Sequence, residues 1–353
     1  GAVSLSLEKY VTMDSMIFGL QKFGGISNYW ARLLSNLSTQ EPEAVELLLP
    51  RIVKYRSFDP IWLEHFNVKR EFYQNNISRY LNSSVAVKNG VYHTSYYRLP
   101  KKRPGKTIVT VYDFTYERFR NGFPRMVHSI QKNRAIKAAD AIICISNSTK
   151  NDVLKFIPTI DPSLLHVIHL GVDLNDFFPD SSPNRDCSDM VLFVGQRAGY
   201  KRFDLAISAI QQSPELRLGI IGPDLTNSER ENLYTKLGRR WKEFGPINDE
   251  RLRQLYSSAY AFVFPSDYEG FGLPVLEAMA CGCPVICSKL SSLPEVGGAA
   301  ALYAERQDGE AFAACLASLA DSCNRRCLIE LGINRSQIFT WAQTINLTID
   351  LYK

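Results

Sequence analysis

Short apolar runs rich in β-forming residues alternate with helical patterns along most of this chain of 353 residues. GKTIVTVYDF is followed by PRMVHSIQKNRAIKAA, and AIICIS is followed by NSTKNDVLKFI. Strands that alternate with helices of this length are typical of a parallel sheet covered by helices. The sequence therefore predicts an α/β fold built on doubly wound parallel sheets.

The alternation stops once and then starts again. SSPNRDCSD is a polar stretch, and behind it come a buried-strand pattern, MVLFVG, and a helical pattern, RFDLAISAIQ. At about 150 residues per domain, the length of the chain suggests two domains. We predict an N-terminal domain over residues 1–178, a linker near 174–188 and a C-terminal domain over 185–339. The amphipathic segment at about 340–353 is free to pack back on the N-terminal domain.

Composition places the chain among ordinary folded proteins. Apolar residues make up 45% and charged residues 22%, which argues against a disordered or fibrous chain. The longest strictly apolar run, Ala311–Ala317, is far shorter than the roughly 20 residues of a membrane-spanning helix. Several of the eight cysteines lie in apolar runs such as PVICS, which favours free thiols in a reducing, cytoplasmic protein. Their spacing does not match a zinc site.

Charge is divided unevenly between the two halves of the chain. The first 172 residues carry 23 basic and 13 acidic side chains, whereas the remainder carry 18 and 23. A basic half with a cluster such as Lys101, Lys102, Arg103 and Lys106 suits an anionic lipid, a phosphorylated substrate or a nucleic acid. A simple solvated face is the alternative. No stripe of interleaved aromatic and basic residues is present, so we expect no nucleic-acid partner.

Several nucleotide-binding and hydrolytic motifs are missing from the sequence. Gly270-Phe271-Gly272 is followed by Val275 at the position where a dinucleotide fingerprint has its third glycine. The stretch GQRAGYK is not a phosphate-binding P-loop, and neither HExxH nor GxSxG occurs. These absences disfavour a nicotinamide enzyme, a kinase, a zinc protease and a serine hydrolase.

The segment Ser266–Gly282, SDYEGFGLPVLEAMACG, combines a strand end, a glycine-rich turn and a helix start. Glycines allow a ligand to approach the backbone closely, and the amides of a helix start favour an anion such as a diphosphate. Carboxylates beside a diphosphate would repel it, so Glu269 and Glu277 make sense as acceptors of hydrogen bonds from ribose and sugar hydroxyls. The alternative is that Glu277 caps or salt-bridges its own helix and that Glu269 is solvated.

With this segment the chain resembles a known family, the retaining glycosyltransferases of family 4 (glycosyl transferases group 1), whose signature is two Glu residues separated by seven others. FGGISNYW, AIICISNSTKNDV, HLGVDLNDF, VGQRAGYKRF and SSLPEVGGAALYAE resemble that family in the same order. The resemblance implies the GT-B architecture, in which two Rossmann-like domains face a cleft. It also implies transfer of a hexose from a nucleotide sugar, with no metal and no other cofactor.

The resemblance assigns roles to residues of the C-terminal domain. Glu277 would hold the ribose hydroxyls, and Glu269 would lie against the donor sugar. Arg197 and Lys201 match the family's basic pair, whose charge would stabilise the leaving diphosphate; a solvated turn is the alternative. Arg197 stands one position later than in many members. The donor would also contact the glycine-rich turn of Gly270, Phe271, Gly272 and Leu273.

In the N-terminal domain, Gly24 and Gly25 precede a predicted helix and would offer backbone amides to the same diphosphate; a simple tight turn competes with that role. Many relatives have a His-acid or His-Asp pair facing the donor sugar. Here Tyr112 stands in place of the histidine, and Asp113 keeps the carboxylate. Asp113 would contact the sugar or help to take the acceptor proton, unless it caps a helix or turn. We expect structural roles for His93, His128, His166 and His169.

The sequence as a whole predicts a retaining hexosyltransferase of polysaccharide biosynthesis. We expect UDP-glucose as donor, with GDP-mannose next, and a glycan or lipid-linked sugar as acceptor. The basic N-terminal half makes peripheral contact with the anionic inner face of the plasma membrane an option for this cytoplasmic protein. An inactive glycan-binding scaffold is one alternative, and another GT-B enzyme such as a sugar-nucleotide epimerase or a phosphorylase is the other.

Overall fold

The computed structural model describes residues 10–22, 24–40, 42–71, 78–83, 90–102 and 105–353. Backbone contacts divide the chain into two compact units. The first contains the described residues up to Leu170 together with Trp341–Lys353, and the second contains Gly171–Thr340. The chain passes into the second unit before the linker predicted near 174–188, since the N–H of Val172 already donates to the carbonyl oxygen of Phe339.

The first unit is built on a parallel sheet of seven strands. These strands are β1 (Val11–Asp14), β2 (Val45–Pro50), β3 (Asn67–Glu71), β4 (Val91–Thr94), β5 (Lys106–Val111), β6 (Ala141–Cys144) and β7 (Leu165–Val167). Their spatial order is β3-β2-β1-β4-β5-β6-β7, and all neighbours run parallel. The order reverses on either side of β1, as it does in doubly wound folds.

Helices connect the strands of this unit. They are α1 (Ile17–Leu20), α2 (Gly25–Gln40), α3 (Trp62–His65), α4 (Thr115–Phe119), α5 (Phe123–Ala138) and α6 (Asn147–Phe156). In α2 the apolar residues recur at helical spacing, so Trp30, Leu33, Leu34 and Leu37 are buried together. Burial of such a stripe, rather than intrinsic helix propensity, is what stabilises a helix of this length.

The second unit repeats the architecture with a parallel sheet of six strands. The strands are β8 (Met190–Val194), β9 (Arg217–Ile221), β10 (Trp241–Gly245), β11 (Ala261–Phe264), β12 (Val285–Ser288) and β13 (Leu302–Ala304). They lie in the order β10-β9-β8-β11-β12-β13. Two parallel sheets with connecting helices confirm the predicted α/β fold class.

The second unit has seven helices among its described residues. They are α7 (Phe203–Gln211), α8 (Asn227–Leu237), α9 (Asp249–Ser258), α10 (Leu273–Ala280), α11 (Leu293–Gly297), α12 (Gly309–Ser318) and α13 (Ser322–Ser336). Ile207 and Ile210 of α7 join Leu218 of β9 and Phe312 of α12 in one buried cluster. The cysteines of the chain form no disulfide, and those in β6 and β12 are buried as small hydrophobic side chains.

The last helix, α14 (Trp341–Tyr352), returns to the first unit. The Tyr352 hydroxyl lies 2.7 Å from Nδ1 of the buried His93, and the Lys106 ammonium donates to the carbonyl oxygen of Leu351 at 2.5 Å. Lys106 therefore neutralises the C-terminal end of a helix, unlike the exposed Lys101 of the same predicted basic cluster. Arg103 of that cluster lies outside the described residues.

Candidate functional site

The strand order of the second sheet brings two loops together. Strands β8 and β11 are hydrogen-bonded neighbours, with Leu192 paired to Phe262, although they are distant in sequence. The order of the sheet reverses between them, and ligands of open α/β sheets bind at the carboxyl ends of the strands at such a reversal. The loop after β8 carries Lys201, and the loop after β11 carries Glu269.

Lys201 and Glu269 form an ion pair at this position. The Lys201 Nζ donates to Glu269 Oε1 at 2.5 Å, and the two side chains are only 19% and 13% exposed. The ammonium also lies 5.6 Å from the centre of the Phe264 ring. A charged pair with this little exposure is screened less by salt than a surface pair. It presents a fixed cation and a carboxylate side by side.

The glycine-rich turn needs a glycine at one particular position. Gly272 has φ of 103° and a left-handed conformation, and a Cβ there would lie 2.8 Å from the Leu293 side chain. Pro274 follows in the first turn of α10, where a proline is favourable. The ring of Phe271 is buried and packs edge-on against Phe339, so this side chain belongs to the core of the unit.

Two serines fix the backbone around Glu269. The Glu269 N–H donates to Ser291 Oγ at 2.9 Å. The Ser292 hydroxyl lies 2.9 Å from the carbonyl oxygen of Glu269 and 2.7 Å from that of Phe271, so its proton is shared between them. Sequence reasoning placed SSLPEV within the resemblance but gave these serines no role. Their role could not be predicted from local sequence, because Ser291 stands 22 positions after Glu269 and only the tertiary structure brings the two together.

Glu277 is half-buried on α10, and its carboxyl group makes neither a hydrogen bond nor an ion pair with any described residue. Burial raises the pKa of this carboxyl from 4.5 to about 8, and the nearby charge of Asp249 adds to the increase. The salt bridge within its own helix, considered above as the alternative, is therefore absent from the described structure. A half-buried carboxyl without a partner has hydrogen-bonding capacity available for a ligand.

Arg197 points to a different set of partners. Its guanidinium is bound to Glu229 through Nε at 2.7 Å and Nη2 at 3.2 Å, and it also donates to the carbonyl oxygens of Pro223 and Asp224. Glu229 also belongs to the capping box of α8. The Arg197 guanidinium thus binds Glu229 and two carbonyl oxygens of its own unit. The structure does not bring it into the Lys201–Glu269 pair.

The predicted residues of the first unit lie at element starts. The carbonyl oxygen of Gly24 accepts the first backbone hydrogen bond of α2 from the N–H of Asn28, and a Cβ added at Gly25 would meet no described atom within 4 Å. Asp113 Oδ1 accepts a hydrogen bond from the N–H of Thr115 at 3.0 Å, in the manner of a residue that caps a turn before a helix. Among the residues that the structure describes, none donates a hydrogen bond to the second carboxylate oxygen of Asp113.

Tyr112, which stands where many relatives have histidine, is buried. Its hydroxyl accepts a hydrogen bond from Trp30 Nε1 at 2.7 Å, and burial holds its pKa well above the usual value. His93 is fully buried between Tyr352 and Thr110, and burial lowers its pKa to about 3. Both side chains are therefore neutral parts of the core, in agreement with the structural role expected for His93.

Two family profiles match successive parts of the chain. "Glycosyltransferase Family 4" matches residues 23–176, and "Glycosyl transferases group 1" matches residues 175–327. This chain belongs to the family 4 glycosyltransferases. The two profiles meet at residues 175–176, about five residues after the first unit gives way to the second, and the second profile includes Lys201, Glu269 and Glu277.

Curated relatives of this family 4 chain match over most of its length. It is 29% identical over 289 residues to "O-antigen chain mannosyltransferase B" of Escherichia coli, covering 75% of this chain and 74% of that protein. It is also 29% identical over 259 residues to "Alpha-maltose-1-phosphate synthase" of Mycolicibacterium smegmatis, and that alignment covers 64% of this chain and 66% of the relative.

Solved structures show the fold of this family 4 chain. Sucrose-phosphate synthase from Thermosynechococcus elongatus superimposes with a TM-score of 0.77 at 20% identity, over 98% of each chain. HepE of Anabaena in complex with UDP and glucose gives 0.75 at 14% identity, over 98% of this chain and 99% of that one. With its two parallel-sheet domains, this chain has the GT-B fold.

Proposed function

We propose that this family 4 glycosyltransferase transfers a hexose from a nucleotide diphosphate sugar to a glycan or lipid-linked acceptor, with retention of anomeric configuration. The observation that carries the proposal is the Lys201–Glu269 pair at the switch point of the second sheet. It places a cation and a hydrogen-bond acceptor where ligands of such sheets bind. Glu277, on the helix that follows the same loop, adds a carboxyl without a partner.

Breaking the bond between the sugar and the diphosphate leaves new negative charge on the leaving oxygen. A fixed ammonium stabilises that charge more in the transition state than in the ground state. In the proposed reaction Lys201 moves its main interaction from Glu269 to the diphosphate. Glu269 then accepts hydrogen bonds from sugar hydroxyls, and Glu277 accepts those of the ribose.

The acceptor attacks from the side on which the diphosphate leaves, which retains the configuration. The proton of the acceptor hydroxyl passes to the departing phosphate oxygen, so no covalent intermediate with the protein forms. The amides of Gly24 and Gly25, at the start of the sixteen-residue helix α2, are proposed to bind the same diphosphate. Asp113 is proposed to contact the sugar through its remaining carboxylate oxygen. The proposal includes no metal and no other cofactor.

UDP-glucose and GDP-mannose are the donors that we propose, in that order. HepE was crystallised with UDP and glucose, and the Escherichia coli relative is named a mannosyltransferase, which supports both sugars. The word O-antigen in that name supports an acceptor that is a growing polysaccharide. We propose that such an acceptor is presented on a lipid at the inner face of the plasma membrane. In the described residues, no helix is both long enough and apolar enough to span a bilayer.

The first experiment is a thermal-shift series with UDP, GDP, ADP, CMP and their common sugar conjugates. A nucleotide at a hundred times its dissociation constant adds about 2.7 kcal/mol to the free energy of unfolding. We expect UDP or GDP alone to raise Tm, and Glu277→Gln to reduce that shift. If no nucleotide raises Tm, the inactive scaffold becomes the better interpretation. Release of an altered sugar nucleotide without acceptor would instead identify an epimerase.

Product stereochemistry tests the second part of the proposal. With an α-linked donor, proton NMR of the product should show a new α-glycosidic bond. A β-linked product would exclude retention and the proposed departure and attack on one face. Activity that persists in excess EDTA is expected as well, because Lys201 supplies the cation.

A further inference from the structure

Arg202, which directly follows Lys201, has a strained backbone. Its φ of 53° and ψ of 48° place it in the left-handed region, where a residue with a Cβ is disfavoured and glycine is not. Only two other non-glycine residues that the structure describes have a positive φ. Strain of this kind persists where the surrounding structure enforces it, and it is concentrated at functional sites. The chain therefore keeps an arginine side chain at a position where glycine would fold more easily.

The Arg202 side chain connects two loops. Its Nε and Nη2 donate to the two carboxylate oxygens of Asp204, in the first turn of α7, at 3.0 Å each. Its Nη1 donates to Asp267 Oδ1 at 3.3 Å. Asp267 lies in the loop after β11, two positions before Glu269. The guanidinium thus joins the loop that carries Lys201 to the loop that carries Glu269.

Asp267 is held by other groups as well. The Gln307 amide donates to Asp267 Oδ1 at 3.0 Å and to the carbonyl oxygen of Pro265 at 2.8 Å. The Asp267 N–H donates to the carbonyl oxygen of Tyr200 at 2.8 Å. These bonds fix both the backbone and the carboxylate of Asp267. Arg202 therefore binds a carboxylate that already has a defined position relative to the end of β11.

Arg202 also completes the turn that carries Lys201. Lys201 is the last residue of the short 3-10 turn Gly199–Lys201, and the Arg202 N–H donates to the carbonyl oxygen of Gly199 at 3.1 Å. The backbone of Arg202 thus closes this turn, and its side chain attaches the turn to the neighbouring loop. Such an attachment matters because a shift of about 1 Å in a catalytic group can cost about a hundredfold in rate.

The contact between Arg202 and Asp267 becomes important when Lys201 changes its partner. In the proposed reaction the Lys201 ammonium leaves Glu269 for the diphosphate, so the ion pair between the two loops is lost. The Arg202–Asp267 contact does not involve the donor and remains. We propose that Arg202 is a positioning residue, which holds the loop of Lys201 in place while the ammonium binds the leaving diphosphate. This inference rests on the proposed function.

The same contact contributes little to stability. The side chains of Arg202, Asp204 and Asp267 are 28%, 60% and 33% exposed, and ion pairs with this exposure to water add little to the free energy of unfolding. Replacement of Arg202 by glycine also relieves the backbone strain, which acts in the opposite direction. Turnover and stability should therefore respond differently to changes at this position.

Turnover is measured as release of UDP or GDP from UDP-glucose or GDP-mannose, and affinity by titration with UDP and GDP. Arg202→Gly should lower kcat about tenfold and change nucleotide affinity by less than about twofold. Its Tm should stay within about 3 °C of that of the parent. The contact with Asp267 uses a single N–H group, so Arg202→Lys should keep kcat within about threefold of the parent. The matched control is Asp204→Ala, which removes the partner on α7, leaves the contact between the loops and should keep the kcat of the parent.

A double-mutant cycle tests whether Asp267 is the partner through which Arg202 acts. Asp267→Ala should lower kcat as Arg202→Gly does, and the double variant should be no slower than either single variant. Losses that multiply in the double variant would overturn the proposal, as would an unchanged kcat in Arg202→Gly. An equal loss of kcat and of nucleotide affinity would also overturn it, because Arg202 would then bind the donor directly.

Hydrogen exchange separates failure of this inference from failure of the proposed function. In the presence of UDP or GDP, the backbone amides of residues 199–203 should exchange faster in Arg202→Gly and in Asp267→Ala than in the parent and in Asp204→Ala. This measurement needs no turnover. A parent that transfers no hexose would contradict the proposed function. Equal exchange in the parent and in both loop variants would contradict the positioning role alone.

Discussion

The Lys201 ammonium lies 2.5 Å from the Glu269 carboxylate, although 68 positions separate the two residues in the chain. The contact exists because β8 and β11 are neighbours in the second sheet and because both residues follow the carboxyl ends of those strands. Each residue holds the other in place before a donor arrives. The pair therefore keeps both side chains at the switch point of the sheet until a donor offers them other partners.

Replacement of Lys201 by alanine should lower kcat by about a hundredfold or more, with a much smaller effect on nucleotide affinity. The reason is that the lysine acts on charge that develops as the diphosphate leaves. Steady-state kinetics and UDP or GDP titration of the same variant give the two numbers. Lys236→Ala, at an exposed lysine of α8, is the matched control. Equal losses in turnover and in affinity would show that Lys201 only binds the donor.

Ser291 should act as a positioning residue for Glu269. It has φ of 51°, a left-handed conformation that is strained for serine, and its hydroxyl accepts the Glu269 N–H. Ser291→Gly relieves the strain but removes the acceptor, so the free energy of unfolding should change by less than about 1 kcal/mol. kcat should nevertheless fall.

Ser291→Ala loses the acceptor and keeps the strain, so it should be less stable than Ser291→Gly. Chemical denaturation and the separation of kcat from KM distinguish these effects. A glycine variant with unchanged kcat would mean that Ser291 does not position Glu269. Ser291→Asn, which tolerates the left-handed region and offers a side-chain oxygen, should restore part of the activity.

Donor affinity should depend on pH through Glu277, whose pKa is raised by burial to about 8. If ribose hydroxyls donate to the ionised carboxylate, binding lowers that pKa, and affinity rises with pH up to about 8, by at most about tenfold per pH unit. Nucleotide titrations at several pH values measure this dependence. Glu277→Gln should remove it, while Glu250→Gln on the exposed start of α9 should leave it intact. Affinity that is the same at pH 6 and pH 8 would exclude this role.

The same carboxyl predicts a dependence of stability on pH. Its pKa is higher in the folded chain than the ordinary 4.5, so the folded state keeps a proton that the unfolded state has lost between those values. Glu277 therefore lowers the free energy of unfolding progressively as pH rises from about 4.5 to about 8. Above pH 8 its effect on stability no longer changes. Denaturation of Glu277→Gln should show a smaller decline of stability over this range than the parent does.

Arg197 should prove to be a structural residue. Arg197→Met removes the ion pair with Glu229 and leaves the carbonyl oxygens of Pro223 and Asp224 without this donor, which should lower the free energy of unfolding by about 1–3 kcal/mol. Turnover under conditions where the variant is folded should stay within about threefold of the parent. A hundredfold loss of kcat in the folded variant would restore Arg197 to the basic pair that the sequence suggested.

Local patterns in the sequence were sufficient for the fold class and for choosing the segment of the candidate site. Alternating strand and helix patterns indicate parallel sheets because side-chain periodicity is a property of each element by itself. Gly272, Pro274 and Glu277 could be predicted for the same reason, since a strand end, a turn and a helix start lie within one short segment. The family resemblance added roles that neither spacing nor composition contains.

Only the tertiary structure decided which distant residues meet. The order of strands in the sheet brings Lys201 to Glu269, and packing of the loop before α11 brings Ser291 to it; both depend on contacts far apart in the sequence. The same applies to Arg197, which stands close to Lys201 in the chain but binds Glu229. The exposure of single residues of α5 is also invisible in its helical pattern, since Ile136 is buried whereas Ile130 is 60% exposed and only packing determines which face of a helix is buried.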